Sequence, residues 1–136
     1  MLKNLFLDVD LSLNSDIASL RPFLEKYEDD DWKRYISFDD KKYKRNVLYK
    51  GKFVEIVLIC WKRGQRSDIH GHPKKGCLMK TLEGNLIEQI YNGDKVFLRQ
   101  HNRKSGDIGF MKDNKILHKI INNSQDSFTL HIYPVD

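Results

Sequence analysis

Five histidines punctuate the 136-residue chain, and two of them, His70 and His72, stand two residues apart. In an extended strand that spacing sends both imidazoles to the same face. With a third histidine brought over from another strand, such a pair makes a three-nitrogen metal site with open positions. A lone H-x-H also fits a satisfied surface pair, so the flanking residues decide. Five residues separate Gly64 from His70, four separate His72 from Cys77, and six separate Cys77 from Gly84. Farther on, His118 is followed by three residues and then Asn122.

Positioning these groups falls to a chain whose composition favours strands. Hydrophobic residues make up 40%, which excludes global disorder, and Ala18 is the single alanine beside many Ile and Val. The length suits one domain, residues 1–136. Residues 15–37 read as helical: Leu20, Phe23, Leu24 and Tyr27 recur at helical spacing, with Ser15 as N-cap. Pro22 either breaks this stretch or opens a second helix, and Asp29-Asp30-Asp31 ahead of Trp32 marks a further helix start.

From Tyr43 onward the pattern changes to strands and tight turns. Phe53–Trp61 is apolar on both faces apart from Glu55, which suits a central buried strand. Leu78–Leu82 and Leu86–Tyr91 flank Glu83-Gly84-Asn85, and Asn92-Gly93 leads into Lys95–Gln100, which predicts two successive hairpins. Asp107–Met111, Ile116–Ile121 and Phe128–Tyr133 complete the set. Short strands without intervening helices predict a mainly β, antiparallel sandwich or barrel behind short N-terminal helices.

The spacing around the histidines resembles the first cupin motif, G-x5-H-x-H-x4-E-x6-G, with Cys77 where the acidic ligand usually stands. His118-x3-Asn122 is similar to the end of the second motif, although Lys112, Asp113 and Asn114 replace its Pro and Gly. In a cupin jelly-roll barrel these strands face one another across the lumen. Exchange of the acid changes the chemistry, because the common non-haem iron site is two histidines and a carboxylate. Three neutral imidazoles leave the metal its full double charge. Such a site accepts an anionic ligand from the substrate, and a thiolate is the natural candidate. An aminothiol would chelate iron(II) through sulfur and nitrogen and leave one position for dioxygen.

At this point the chain resembles the cysteine dioxygenase type I family, from about Leu20 to Pro134. Tyr43-Lys44-Arg45-Asn46 is similar to the family's Y-x-R-N segment, whose tyrosine and arginine bind the substrate carboxylate. Leu58-Ile59-Cys60-Trp61 resembles the strand leading into the metal motif. Ile69-His70-Gly71-His72 matches the first two iron ligands and Leu117-His118 the third. Thr129-Leu130-His131-Ile132-Tyr133 is similar to the family's S-L-H-L-Y, so the resemblance makes Thr129, His131 and Tyr133 a hydrogen-bonding chain beside the iron. It also implies a thioether between Cys77 and Tyr133. Gly76 stands where animal enzymes have histidine, and Thr129 replaces serine. The chain is shorter than the animal enzymes at both ends, which implies that it lacks a C-terminal covering segment.

Two stretches carry the same reading on pattern alone. In Phe128–Tyr133, Phe128, Leu130 and Ile132 alternate with Thr129, His131 and Tyr133, giving one apolar face and one of hydroxyls and imidazole; the bland alternative is a wet face. In Lys41-Lys42-Tyr43-Lys44-Arg45, alternation puts Tyr43 and Arg45 on one face, and the planar Arg45 fork suits a carboxylate. Trp61 packs near the site, Cys60 fills core, His101 sits in an exposed loop, and Glu83 is a solvated turn residue.

The implied activity is oxidation of L-cysteine by O2 to cysteine sulfinic acid, with iron(II) on His70, His72 and His118. Arg45 and Tyr43 hold the carboxylate, and Trp61 and Thr129 lie near it. Tyr133, His131 and Cys77 complete the catalytic group. The alternatives are the same chemistry on another thiol such as 3-mercaptopropionate, where relatives carry glutamine in place of Arg45, and a metal-binding cupin without catalysis. The net charge of +5 and pI near 9.1 raise nucleic acid as a partner, but the basic residues are interleaved with acids and no nucleic-acid motif occurs. The longest apolar run, Ile56–Trp61, cannot span a bilayer, residues 1–13 lack a signal-peptide core, and two cysteines make no disulfide framework. These features predict a cytoplasmic monomer with neither nucleic-acid nor membrane partners.

Overall fold

The structure is a computed structural model, which describes residues 1–12, 16–71, 75–112 and 115–135. Ser15, His72, Asp113 and Asn114, singled out above, lie outside the described residues.

The N-terminal part departs from the sequence expectation. Helix α1 (Leu2–Ser12) is an addition to it, because Lys3, Asp8 and Asp10 interrupt its short apolar stretches. Those charges share a helix with a single buried stripe, Leu2, Leu5 and Val9. Asp10 pins the helix to the barrel: its carboxylate accepts from the Tyr49 hydroxyl and the Phe53 N–H, each at 2.8 Å. The helical reading of 15–37 resolves into three short pieces: a 3-10 turn at Ile17–Leu20, helix α2 (Arg21–Lys26) and a 3-10 turn at Asp31–Tyr35. Asp16 caps the first of them, accepting from the Ala18 N–H at 2.9 Å. Pro22 lies in the first turn of α2, where its missing N–H has no helical partner to lose. Asp31 opens the last piece, as the acidic triplet predicts.

Eight strands follow: β1 (Lys44–Lys50), β2 (Val54–Trp61), β3 (Cys77–Glu83), β4 (Asn85–Tyr91), β5 (Phe97–Lys104), β6 (Ile108–Met111), β7 (Leu117–Ile121) and β8 (Ser127–Pro134). They form two antiparallel sheets, β1-β2-β8-β3-β6 and β5-β4-β7. Period-two alternation assigns the faces of the larger sheet. Leu58, Cys60, Leu78, Phe128, Leu130 and Ile132 pack outward under the N-terminal helices. Val57, Ile59, Trp61 and Met79 point the other way and meet Leu86 and Ile120 of the smaller sheet. Lys80 ties the helices down, its buried ammonium donating to the carbonyls of Leu24 (3.0 Å) and Tyr27 (2.6 Å).

One of the two expected hairpins is not a hairpin. β3 and β4 belong to different sheets, so Glu83-Gly84-Asn85 carries the chain across the barrel. Gly84 has φ +104°, and a Cβ there would lie 2.1 Å from Ser127 Oγ. The second expected hairpin exists: β4 and β5 pair, and Asn92 Oδ1 accepts from the N–H groups of Asp94 and Val96. His101 is half-buried inside β5 rather than in an exposed loop, because that strand extends to Lys104. Cys60 is buried and Glu83 exposed, as expected.

Candidate active site

Between the two sheets lies a cavity of about 470 Å³, with Arg45, Trp61, His70, His118, His131 and Tyr133 in its wall. Its two sides come from distant parts of the chain. His118 is on β7, and the loop after β2 delivers His70 beside it. The two residues form an isolated antiparallel bridge in which each N–H donates to the other's carbonyl at 2.9 Å. The opposite side is β8, which presents Thr129, His131 and Tyr133 inward.

The imidazoles of His70 and His118 face each other with Nε2 atoms 3.0 Å apart. His70 Nδ1 is 2.8 Å from the Asp68 carbonyl and His118 Nδ1 is 2.7 Å from Glu88 Oε2. Both contacts are to acceptors, so each Nδ1 carries the hydrogen and each Nε2 turns a lone pair to the cavity. Burial pushes the His70 imidazole pKa below its ordinary value, which favours the neutral form a ligand needs. Two ligands at right angles around one ion at about 2.1 Å stand about 3.0 Å apart. The donor pair therefore fits one metal ion. His72, the remaining expected ligand, lies outside the described residues.

Behind His118 stands a group absent from the sequence-based set. Glu88, 2% exposed on β4, accepts from His118 through one oxygen. Its other oxygen takes Arg103 Nη2 at 2.7 Å and Nε at 2.9 Å. Burial acts to raise the Glu88 carboxyl, but the His118 hydrogen bond and the charge and hydrogen bond of Arg103 outweigh it and hold the group down to about 2. A signal is present in the sequence: Glu88 occupies the same strand face as Leu86 and Ile90, where alternation puts side chains inward.

Across the cavity, four side chains form one hydrogen-bonded line. Trp61 Nε1–H donates to Thr129 Oγ1 at 3.0 Å. The wholly buried Thr129 hydroxyl keeps a hydrogen to give, and His131 Nε2 is the acceptor 2.8 Å away. His131 Nδ1 in turn lies 3.3 Å from the Tyr133 hydroxyl. Burial removes the wet-face alternative, since Thr129 and His131 are both enclosed. Burial also raises the Tyr133 pKa above its ordinary value against the lowering pull of Arg45, so the phenol keeps its proton.

Arg45 stands at the mouth, with its guanidinium carbon 5.5 Å from the Tyr133 ring centroid. It is exposed at the surface while lining the cavity, and Tyr43 stacks on Trp61 beside it at 4.6 Å. Lys44 points away and donates to Ser37 Oγ, as the alternation requires. Cys77 is buried in a small cluster with Ile90 and Met111 against which Tyr133 packs, and burial raises its thiol pKa. Gly76 before it has φ +83°, and a Cβ there would fall 2.2 Å from the Met111 carbonyl oxygen. A side chain has no room at that position in this barrel.

Comparison with known proteins agrees with this architecture. The sequence profile of the family described as Cysteine dioxygenase type I matches residues 3–135. Cysteine dioxygenase type 1 of Homo sapiens is 28% identical over 130 residues, which cover 87% of this chain and 64% of the human protein. The chain thus spans less than two thirds of the length of that relative. Among solved structures, a protein from Thermus thermophilus superposes with a TM-score of 0.66 at 17% identity, over 79% of this chain and 97% of that one. A cupin-2 domain containing protein from Shewanella frigidimarina gives 0.60 at 15%, over 79% and 96%. These two likenesses show the fold, a mainly β cupin.

Proposed function

The chain belongs to the cysteine dioxygenase type I family, and from that premise we propose that it is an iron(II)-dependent thiol dioxygenase whose substrate is L-cysteine. In the reaction both atoms of O2 end on sulfur: the thiol is oxidised by four electrons to the sulfinate and the dioxygen is reduced by four. The observation that carries the proposal is the pairing of two walls. One offers the His70 and His118 lone pairs, and the other offers the Tyr133 hydroxyl at the end of its hydrogen-bonded line.

Iron(II) held by His70, His72 and His118 would supply a soft site for the thiolate and the means of activating dioxygen. The protein's own groups do the rest. Arg45, helped by Tyr43, pairs with the carboxylate and fixes the amino acid at the mouth. Ile59, Trp61 and Ile120 make the apolar part of the wall and limit water at the sulfur. Trp61 and Thr129 set the tautomer of His131, which donates to the Tyr133 oxygen and so turns that hydroxyl's hydrogen toward the cavity. Tyr133 also joins Cys77 as a thioether, with loss of two hydrogens to O2 as oxidant.

The test is O2 uptake by protein reconstituted anaerobically with iron(II) and given L-cysteine or 3-mercaptopropionate, with products read by mass for two added oxygens. Uptake with cysteine and a sulfinate product is expected. Uptake with 3-mercaptopropionate alone would keep the chemistry and overturn L-cysteine as the substrate. No uptake by iron-loaded protein would leave a metal-binding cupin without catalysis.

A further inference from the structure

We propose that Glu88 is a positioning residue for the metal, holding His118 through Nδ1 so that its Nε2 lone pair is presented to the cation. The inference rests on reading His70, His72 and His118 as the ligands. Those three imidazoles bring no charge, and Cys77, at the place where the cupin motif carries its acid, packs instead in an apolar cluster with Ile90 and Met111.

A carboxylate inside a barrel is costly unless each oxygen is paired. Here each oxygen has its own partner, His118 Nδ1 on one and the two-nitrogen grip of Arg103 on the other. The surroundings are fitted to that grip. Arg103 comes from β5, the outer strand of the smaller sheet, and lies over Gly109 of β6 in the larger one. A Cβ at Gly109 would come 3.0 Å from Arg103 Nη2 and 3.1 Å from Cζ. A side chain at Gly109 would press on the guanidinium by a few tenths of an ångström. Strands β4, β5, β6 and β7 thus converge on one carboxylate whose free face is His118. A carboxylate that accepts Nδ1–H fixes the tautomer, holds the ring plane and makes Nε2 a stronger donor to a cation.

The decisive comparison is wild type against Glu88→Gln, which keeps the size and loses the charge. Two readouts apply: iron(II) affinity by anaerobic competition titration, and the ¹⁵N spectrum of histidine-labelled, metal-free protein. We expect about 10- to 100-fold weaker iron binding, and loss of the single Nδ1–H form of His118. Wild-type affinity and an unchanged His118 spectrum, whatever happens to the unfolding temperature, would reduce Glu88 to a packing role and overturn the proposal. Failure of the wild type to bind iron would instead sink the ligand reading, while the metal-free spectrum still tests the tautomer. Should Glu88→Gln not fold, Arg103→Lys keeps the positive charge and gives up the grip. Weaker iron binding and a shifted His118 resonance are then expected, and no change in either overturns the proposal.

Discussion

Cys77 and Tyr133 are neighbours across β3 and β8. The register pairs Met79 with His131 and Leu78 with Ile132, and the next step outward brings Cys77 level with Tyr133. Both side chains point to the cavity side of the sheet, where Tyr133 packs on the Cys77 cluster. The thioether proposed between them should form during turnover without any strand having to move. Intact mass after turnover is expected to fall by two hydrogens in the wild type and to stay constant in Cys77→Ser. A wild-type mass that never changes would remove the crosslink from the account.

Arg45 at the mouth supplies a second prediction. A hydrogen-bonded charge pair contributes about 1.5–3 kcal/mol, so Arg45→Gln should raise KM for L-cysteine about 10- to 100-fold. Cysteamine, which lacks the carboxylate, should be handled equally by both proteins. Parallel losses on the two thiols would show that Arg45 acts on something other than the carboxylate.

Acid should loosen the N-terminal helix. Burial alone would raise the Asp10 pKa, but the Phe53, Lys52 and Val54 N–H groups and the Tyr49 hydroxyl lower it below 3.8. A depressed carboxyl contributes stability that is fully present above its ordinary value and is lost as pH falls through the folded one. Urea midpoints at pH 7 and pH 3 should therefore differ more for the wild type than for Asp10→Asn. Identical differences would mean that the docking of α1 does not depend on the charge.

Two glycines should separate backbone strain from collision. Gly64 and Gly84 both have positive φ, +90° and +104°, yet a Cβ at Gly64 meets nothing within 4 Å, whereas at Gly84 it meets Ser127 Oγ at 2.1 Å and Ser127 Cα at 2.9 Å. Gly64→Ala should cost about 1–2 kcal/mol from conformation alone. Gly84→Ala should cost about 1–3 kcal/mol more, as overpacking adds to it. Equal denaturation midpoints for the two variants would contradict the crossing geometry at Gly84.

The strands are legible because hydrophobic alternation from Tyr43 onward is strong, and the inward set on β8 can be read residue by residue. The crossing at Gly84 is not. A short Gly-containing connection looks the same whether its strands pair or part, and which sheet each joins depends on β8, which enters between β2 and β3 from the far end of the chain. Helix α1 is hidden by charges that turn out to serve its docking, Asp10 above all. Glu88 escapes notice for a related reason: an acid inside a strand reads as surface until its partners, Arg103 and His118, are seen to come from β5 and β7.

His70 and His118 exchange backbone hydrogen bonds in both directions, so the distance between their chains is set by the peptide groups. For these two residues the frame is peptide, and the imidazoles hang from it. Either imidazole should therefore be removable without changing how the two segments lie against each other.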